Sequence, residues 1–417
     1  MRYTLKAPKT LDAKIDLPAS KSISNRALII HAISKGVVLP DNLSDCDDTN
    51  VMVNALLHTP GTIDVQAAGT AMRFLTAYLS NIAGEHIITG TQRMKERPIG
   101  VLVDALKYLG ADIEYIEKVG FPPLKIKGKT LTGGALEIDG NISSQYISAL
   151  LMIAPCLQNG LELKMHGEIA SRPYIDLTLW MMKEFGAEAD WRSVDTIIVK
   201  PTPYTGKEYL IENDWSSASY WYEMVALSED LDSRIELTGL TESSKQGDAV
   251  VRHIFSLLGV KTTFVKNECS GEVSVVLKRQ ATRVPRLEYD FNNSPDLAQT
   301  VVVTCCMLGI PFHFTGLHTL KIKETDRITA LINELRKLGF VVETKNESEL
   351  IWYGERCEST NDAIDTYNDH RMALAFAPVA MMTHRITINN PRVVSKSYPH
   401  YWNDLNMAGF DIQEEEE

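Results

Sequence analysis

The sequence predicts an α/β protein of six helix-pair and strand units, arranged as two similar domains of three units each. Three observations predict it. One phrase recurs, an amphipathic stretch closing in Leu-Gly or a near variant before a strand-like run. It begins at Leu102, Leu177, Val250 and Leu331. Its glycines, Gly110, Gly186, Gly259 and Gly339, fall about 75 residues apart. A second kind of segment alternates with it: small polar residues, then a helix-length apolar run. Strand-like runs such as TLKAPKTLDAKIDL and RITINNPRVV favour sheets over an all-helical open solenoid.

The elements follow in order. The apolar runs begin at Ser20, Gly69, Ser143, Ser216, Ser294 and Asp369. Being apolar nearly all round, they predict buried helices. Each start presents unsatisfied backbone N–H groups and the positive end of a dipole. The Leu-Gly stretches predict outer helices with an apolar stripe, each stopped by a glycine. Two units depart from the phrase. The first has the shorter DDTNVMVNALLH, and the last ends in PHYWNDLNMAGF. The Pro-rich VKPTPYTG stretch places a domain boundary near Asn213.

Composition narrows the function. The chain has 417 residues, of which 44% are apolar and 23% charged, an ordinary globular mix. With 42 Lys and Arg against 54 Asp and Glu, the formal net charge is −12. A general nucleic-acid binder is ordinarily basic, so that class loses weight. A local basic pocket for a small anion remains compatible with an acidic surface. The first residues lack an apolar signal core, and the apolar stretch Leu297–Phe314 is too short and polar for a membrane span. Six cysteines without paired spacing indicate a reducing compartment, the cytoplasm. Cys305 and Cys306 are expected as packed thiols, and Glu414–Glu417 as a solvated, frayed tail.

The polar residues at the buried-helix starts carry the chemistry. Ser and Asp there serve first as N-caps. Lys21, Arg73 and Arg371 are different, because a cation in the first turn opposes the helix dipole, so these point towards an anion. More cations cluster in RMKERP, KIKETDR and VVSKSYP. No HExxH, CxxC, GxGxxG or GxxxxGK[ST] signature occurs, so neither metal nor nucleotide cofactor is expected.

Together, LPASKSISNRALI, AGTAMRF, RMKERPIG, SSQYISALL, SRPYIDLT, DWSSASY, KETDRI, YNDHRMA and SKSYPHYW resemble the 3-phosphoshikimate 1-carboxyvinyltransferase family, in order from about residue 17 to 402. The resemblance implies two inside-out α/β domains, residues 18–213 and residues 1–17 with 214–417, with the active site in the cleft between them. It implies transfer of the enolpyruvyl group of phosphoenolpyruvate to the 5-hydroxyl of shikimate 3-phosphate, releasing phosphate through a tetrahedral ketal. No cofactor, nucleic acid or membrane is implied, and a monomer is expected.

Residue by residue, the resemblance places Lys21 at both substrates. Ser22, Arg26, Ser143, Ser144, Gln145, Ser171, Tyr174, Asp296, Thr319 and Lys323 fall to shikimate 3-phosphate. Gly69, Arg97, Gln145, Arg327, Arg371 and Lys396 fall to phosphoenolpyruvate. Lys21, Asp296 and Glu324 carry the proton transfers. Arginines suit these ligands because a planar fork matches carboxylate and phosphate oxygens. A glutamate between Lys323 and Arg327 is held in its charged form, which opposes a role as proton donor, whereas desolvation in a closed site favours it. Ala67, Phe74 and Thr319 depart from the family's common Asn, Pro and Asn. Gly69 is retained, so a compact phosphonate such as glyphosate is expected to bind. Lys21-Ser22, and a cysteine-free RMKERPIG, argue against the sister transferase acting on UDP-N-acetylglucosamine. Asp296 and Glu324 argue against a noncatalytic anion-binding repeat protein.

Overall fold

The computed structural model describes residues 1–36, 38–266, 271 and 273–415. The chain forms two compact units, Ser20–Ile211 and Met1–Ala19 with Glu212–Glu417. The six apolar runs form inner helices at Lys21–Ser34, Gly69–Ser80, Ser144–Ile153, Trp215–Leu227, Ala298–Leu308 and His370–Phe376. The last is shorter than its apolar run, because Pro378 lacks an N–H and converts the continuation into a 3-10 turn, Ala377–Val379. The outer helices are Asp47–His58, Gly100–Tyr108, Arg172–Glu184, Val251–Leu257, Arg327–Lys337 and Tyr401–Met407. Gly110, Gly186, Gly259 and Gly339 close four of them with φ of 105°, 86°, 92° and 88°, where a side chain would be strained.

Four sheets repeat one plan. Each repeat runs strand, inner helix, parallel strand, outer helix, then two antiparallel strands, with spatial order first, second, fourth, third. In the smaller unit the plan gives Thr62–Asp64 beside Gly84–Thr89, then Leu124–Gly128 and Asp112–Tyr115. It recurs as Gly134–Asp139, Leu161–His166, Thr196–Val199 and Ala189–Trp191. The first repeat, at residues 20–58, keeps its helix pair, and an isolated bridge from Asp41 to Leu210 stands in place of a sheet.

The larger unit opens with a divided repeat. Its first strand, Asp12–Asp16, runs parallel to Arg234–Thr238, yet the intervening inner helix, Trp215–Leu227, follows only after the whole smaller unit. The smaller unit is thus inserted between a strand and its own helix. Arg2–Lys6 completes the last repeat instead, lying antiparallel between Ile386–Asn389 and Asp411–Glu415. That pairing corrects the expectation of a frayed tail for Glu414 and Glu415, whose side chains stay exposed to solvent. Glu414 and Glu415 sit opposite Tyr3 and Arg2, and Glu415 accepts a hydrogen bond from Thr4 at 3.1 Å. Residues 416–417 lie outside the described residues.

The core of the larger unit is one contiguous cluster around the three inner helices, with Trp215, Trp221, Tyr398 and Tyr401 fully buried. Cys305 and Cys306 are packed inside it, and five cysteines among the described residues are free thiols. No helix among the described residues is long and apolar enough to cross a membrane.

Candidate active site

In the smaller unit, side chains tie the N-terminal halves of the inner helices together. Ser20 caps the first helix by accepting from Ile23 N, and Ser143 caps the third by accepting from Gln145 N, both at 3.4 Å. The Gln145 amide donates to Thr70 Oγ1 at 3.1 Å, joining the starts of the second and third helices. Arg26 is buried. It donates to Thr178 Oγ1 at 2.8 Å, Ser22 O at 2.9 Å, Ser148 Oγ at 3.2 Å and Tyr174 O at 3.3 Å, and lies over the Phe74 ring. Burial lowers its guanidinium to about 10. Arg26 therefore holds three helices in register, including the turn that carries Tyr174. Ser171 precedes that turn at φ 55°, an uncommon backbone for a serine, and its carbonyl accepts from Tyr174 N.

Lys21 begins the first inner helix, with Nζ 3.2 Å from Asp48 Oδ2. Gly69 begins the second against two arginines. A β-carbon there would lie 2.7 Å from Arg97 Nη1 and 3.0 Å from Arg73 Nη1. Arg73, which the dipole argument aimed at an anion, donates to the carbonyls of Gly69 and Pro98 at 3.0 and 3.4 Å. It braces the helix start and the Arg97 loop.

The larger unit gathers the opposite mixture, cations and carboxylates on the starts of its helices. Asp214 caps the fourth inner helix by accepting from Ser217 N, and Asp369 caps the sixth by accepting from Arg371 N. Ahead of the fifth, the 3-10 turn Pro295–Leu297 presents Asp296. Arg371 reaches Asp296 Oδ2 at 2.9 Å, Asp296 O at 3.1 Å and the Tyr220 hydroxyl at 3.2 Å, so it links all three helices. Lys323 stands 3.6 Å from Asp296. Burial lowers the Lys323 ammonium, and the Asp296 charge opposes that.

Arg327 is the hub. It donates to Asp369 at 2.7 and 3.2 Å, to Glu324 at 3.0 Å and to Asp296 at 3.4 Å. Burial alone would lower its guanidinium, but Asp369, Glu324 and Asp296 together raise it. Glu324 is shared, its other oxygen 3.0 Å from Lys396 Nζ. Lys396 ends the Pro391–Lys396 turn. Thr319 lies on the neighbouring His318–Ile322 turn, where its Oγ1 is buried without a hydrogen bond among the described residues. No group of three or more His, Cys, Asp or Glu suited to a metal occurs among the described residues.

The model of the EPSP synthase (3-phosphoshikimate 1-carboxyvinyltransferase) family matches residues 5–61 and 56–405. A 3-phosphoshikimate 1-carboxyvinyltransferase of Bacteroides fragilis is 58% identical, covering 100% of both chains. The chain belongs to the EPSP synthase family. A relative of the same name from Photobacterium profundum is 37% identical over 96% of this chain and 97% of its own. The fold agrees with the solved EPSP synthase of Acinetobacter baumannii, at a TM-score of 0.79 and 19% identity over 99% of this chain and 100% of that one.

Against that family, three partner residues escaped the sequence reading. Asp48 holds Lys21, Asp369 holds Arg327, and Tyr220 holds Arg371. Asp369 and Tyr220 stood within quoted motifs, and Asp369 at a helix start, but no spacing tied either to an arginine. Asp48 sits on an outer helix, where an acidic first turn is ordinary helix chemistry.

Proposed function

We propose that this chain transfers the enolpyruvyl group of phosphoenolpyruvate to the 5-hydroxyl of shikimate 3-phosphate. The observation that carries the reading is the cluster of Arg327, Arg371, Lys323 and Lys396 around Asp296 and Glu324. Cations held in place suit a ligand with a phosphate and a carboxylate, and paired carboxylates suit proton transfer in both directions. In the smaller unit, Ser143, Ser144 and Ser171 would hold the 3-phosphate, with Ser22, Arg26 and Tyr174 at the shikimate ring. From the larger unit, Asp296, Thr319 and Lys323 would serve the same substrate. Lys21, Gly69, Arg97 and Gln145, with Arg327, Arg371 and Lys396, would hold phosphoenolpyruvate.

Asp296 takes the proton of the 5-hydroxyl as its oxygen bonds to C2 of phosphoenolpyruvate. The C2–C3 double-bond pair takes a proton from Glu324 at C3, which completes the ketal. In the second step C3 returns a proton. The C2–C3 double bond reforms, and phosphate departs with the electron pair of its C2–O bond and takes up the proton that Asp296 received from the hydroxyl, which restores the carboxylate. Lys21 stabilises that departing charge. The reading is of a monomer in the cytoplasm, with residues 18–213 and residues 1–17 with 214–417 as transferase domains.

The test is phosphate release from phosphoenolpyruvate with shikimate 3-phosphate, with UDP-N-acetylglucosamine as the parallel acceptor. Release with shikimate 3-phosphate alone supports the reaction. Release with the sugar nucleotide alone moves the activity to the sister reaction, and release with neither acceptor overturns it.

A further inference from the structure

The cations of the larger unit are already engaged by the protein's own carboxylates. Glu324 Oε1 lies 3.0 Å from Lys396 Nζ, and Oε2 lies 3.0 Å from Arg327 Nη2. Asp296 similarly faces Arg371 at 2.9 Å, Arg327 at 3.4 Å and Lys323 at 3.6 Å. These carboxylates differ in accessibility. The Asp369 side chain is 0% exposed behind Arg327, whereas Glu324 and Asp296 keep 14% and 22%. Asp369 is thus a fixed counter-ion, and the other two stand where an incoming anion would meet the cations.

We propose that Glu324 is an internal stand-in for the substrate anion, displaced from Lys396 and Arg327 when phosphoenolpyruvate binds and then protonated from solvent. The inference rests on the reading that phosphoenolpyruvate is the ligand of these cations. Two cations at 3.0 Å hold Glu324 ionised, the wrong state for a group that must give a proton to C3. Lys323 adds a third positive charge nearby, and Asp296 and Asp369 supply the negative charges around Arg327. A trianionic ligand reverses this balance. It takes over the cations and sets its own charge beside the carboxylate. The proton then added at Glu324 comes from water or buffer, and it is the one delivered to C3. Binding itself arms the acid, and free enzyme does not carry a proton there to lose.

The experiment is calorimetric titration of phosphoenolpyruvate alone into wild type and Glu324→Gln at pH 7, in two buffers of different ionisation enthalpy. Wild type is expected to take up a measurable fraction of a proton more than the variant, whose value reports the ligand's own ionisation. Glu324→Gln is expected to bind phosphoenolpyruvate at least tenfold more tightly, because the competing charge is gone. Equal or weaker binding by the variant, including binding by neither, overturns the proposal, as does equal proton uptake. If Glu324→Gln melts early, Glu324→Asp, which withdraws the carboxylate by one methylene, carries the same expected sign. No shikimate 3-phosphate is present, so the result does not depend on turnover. An enzyme that shows the exchange but releases no phosphate would sink the reaction alone. One that turns over with equal uptake and affinity would sink the exchange alone.

Discussion

Lys21 Nζ and Asp48 Oδ2 lie 3.2 Å apart, with the Asp48 side chain 6% exposed and the lysine 19% exposed. The pair joins the first residue of an inner helix to the first turn of the adjacent outer helix. A cation at the positive end of a helix dipole needs such a partner. Asp48→Asn keeps the shape and removes the charge. Hydrogen bonds to charged groups are worth about 1.5–3 kcal/mol, so kcat/KM should fall by about tenfold or more. Steady-state phosphate release checks this, and an unchanged kcat/KM would leave Asp48 with a purely structural role.

Gly69→Ala places a methyl 2.7 Å from Arg97 Nη1 and 2.8 Å from Nη2. The guanidinium is the far end of a side chain and can retreat, so the fold should survive. Its retreat moves a donor assigned to phosphoenolpyruvate. The expected outcome is a raised KM for phosphoenolpyruvate, a larger loss of inhibition by glyphosate, and a melting temperature near that of wild type. Inhibition of wild type no stronger than that of Gly69→Ala would refute the phosphonate fit.

Arg327 cannot be replaced by lysine without loss. A point-like ammonium cannot span Asp369, Glu324 and Asp296 as the guanidinium does. Arg327→Ala leaves the fully buried Asp369 uncompensated, which costs on the order of 3–5 kcal/mol of stability. Urea unfolding should report that loss, and Arg327→Lys should fold yet turn over far more slowly. Wild-type stability in Arg327→Ala would refute the hub.

Two buried carboxyls outside the proposed proton transfers predict how stability follows pH. Glu223 is fully buried in the fourth inner helix, with neither oxygen hydrogen-bonded among the described residues, and burial raises it well above the usual range. Asp248 accepts from the Ser216 hydroxyl, and burial with the Asp296 charge raises it to about 6. Each holds its proton in the folded chain after the unfolded chain has lost it. Their contribution to stability is therefore full below about pH 4 and is lost as pH rises, for Asp248 between about 4 and 6. Glu223→Gln and Asp248→Asn should each raise the melting temperature more at pH 8 than at pH 4. Parallel melting curves across that range would count against buried neutral acids.

The helix pairs are legible in the order of residues, because a helix start, an apolar run and a stopping glycine are local features. Ser20, Asp214 and Gly339 act within a few residues of where they stand. The cationic clusters were legible too, since Lys323 and Arg327 are neighbours in the chain. The partners of these elements and charges emerge only when the chain is folded. Asp12–Asp16 meets Arg234–Thr238, and Asp296 meets Arg371, across long stretches of chain. Strand pairing and ion pairing are contacts of shape and distance, and spacing in sequence does not encode them. The same limit hid the shared Glu324. KETDR shows an acid among bases, but only the fold brings Lys396 within 3.0 Å of the Glu324 carboxylate.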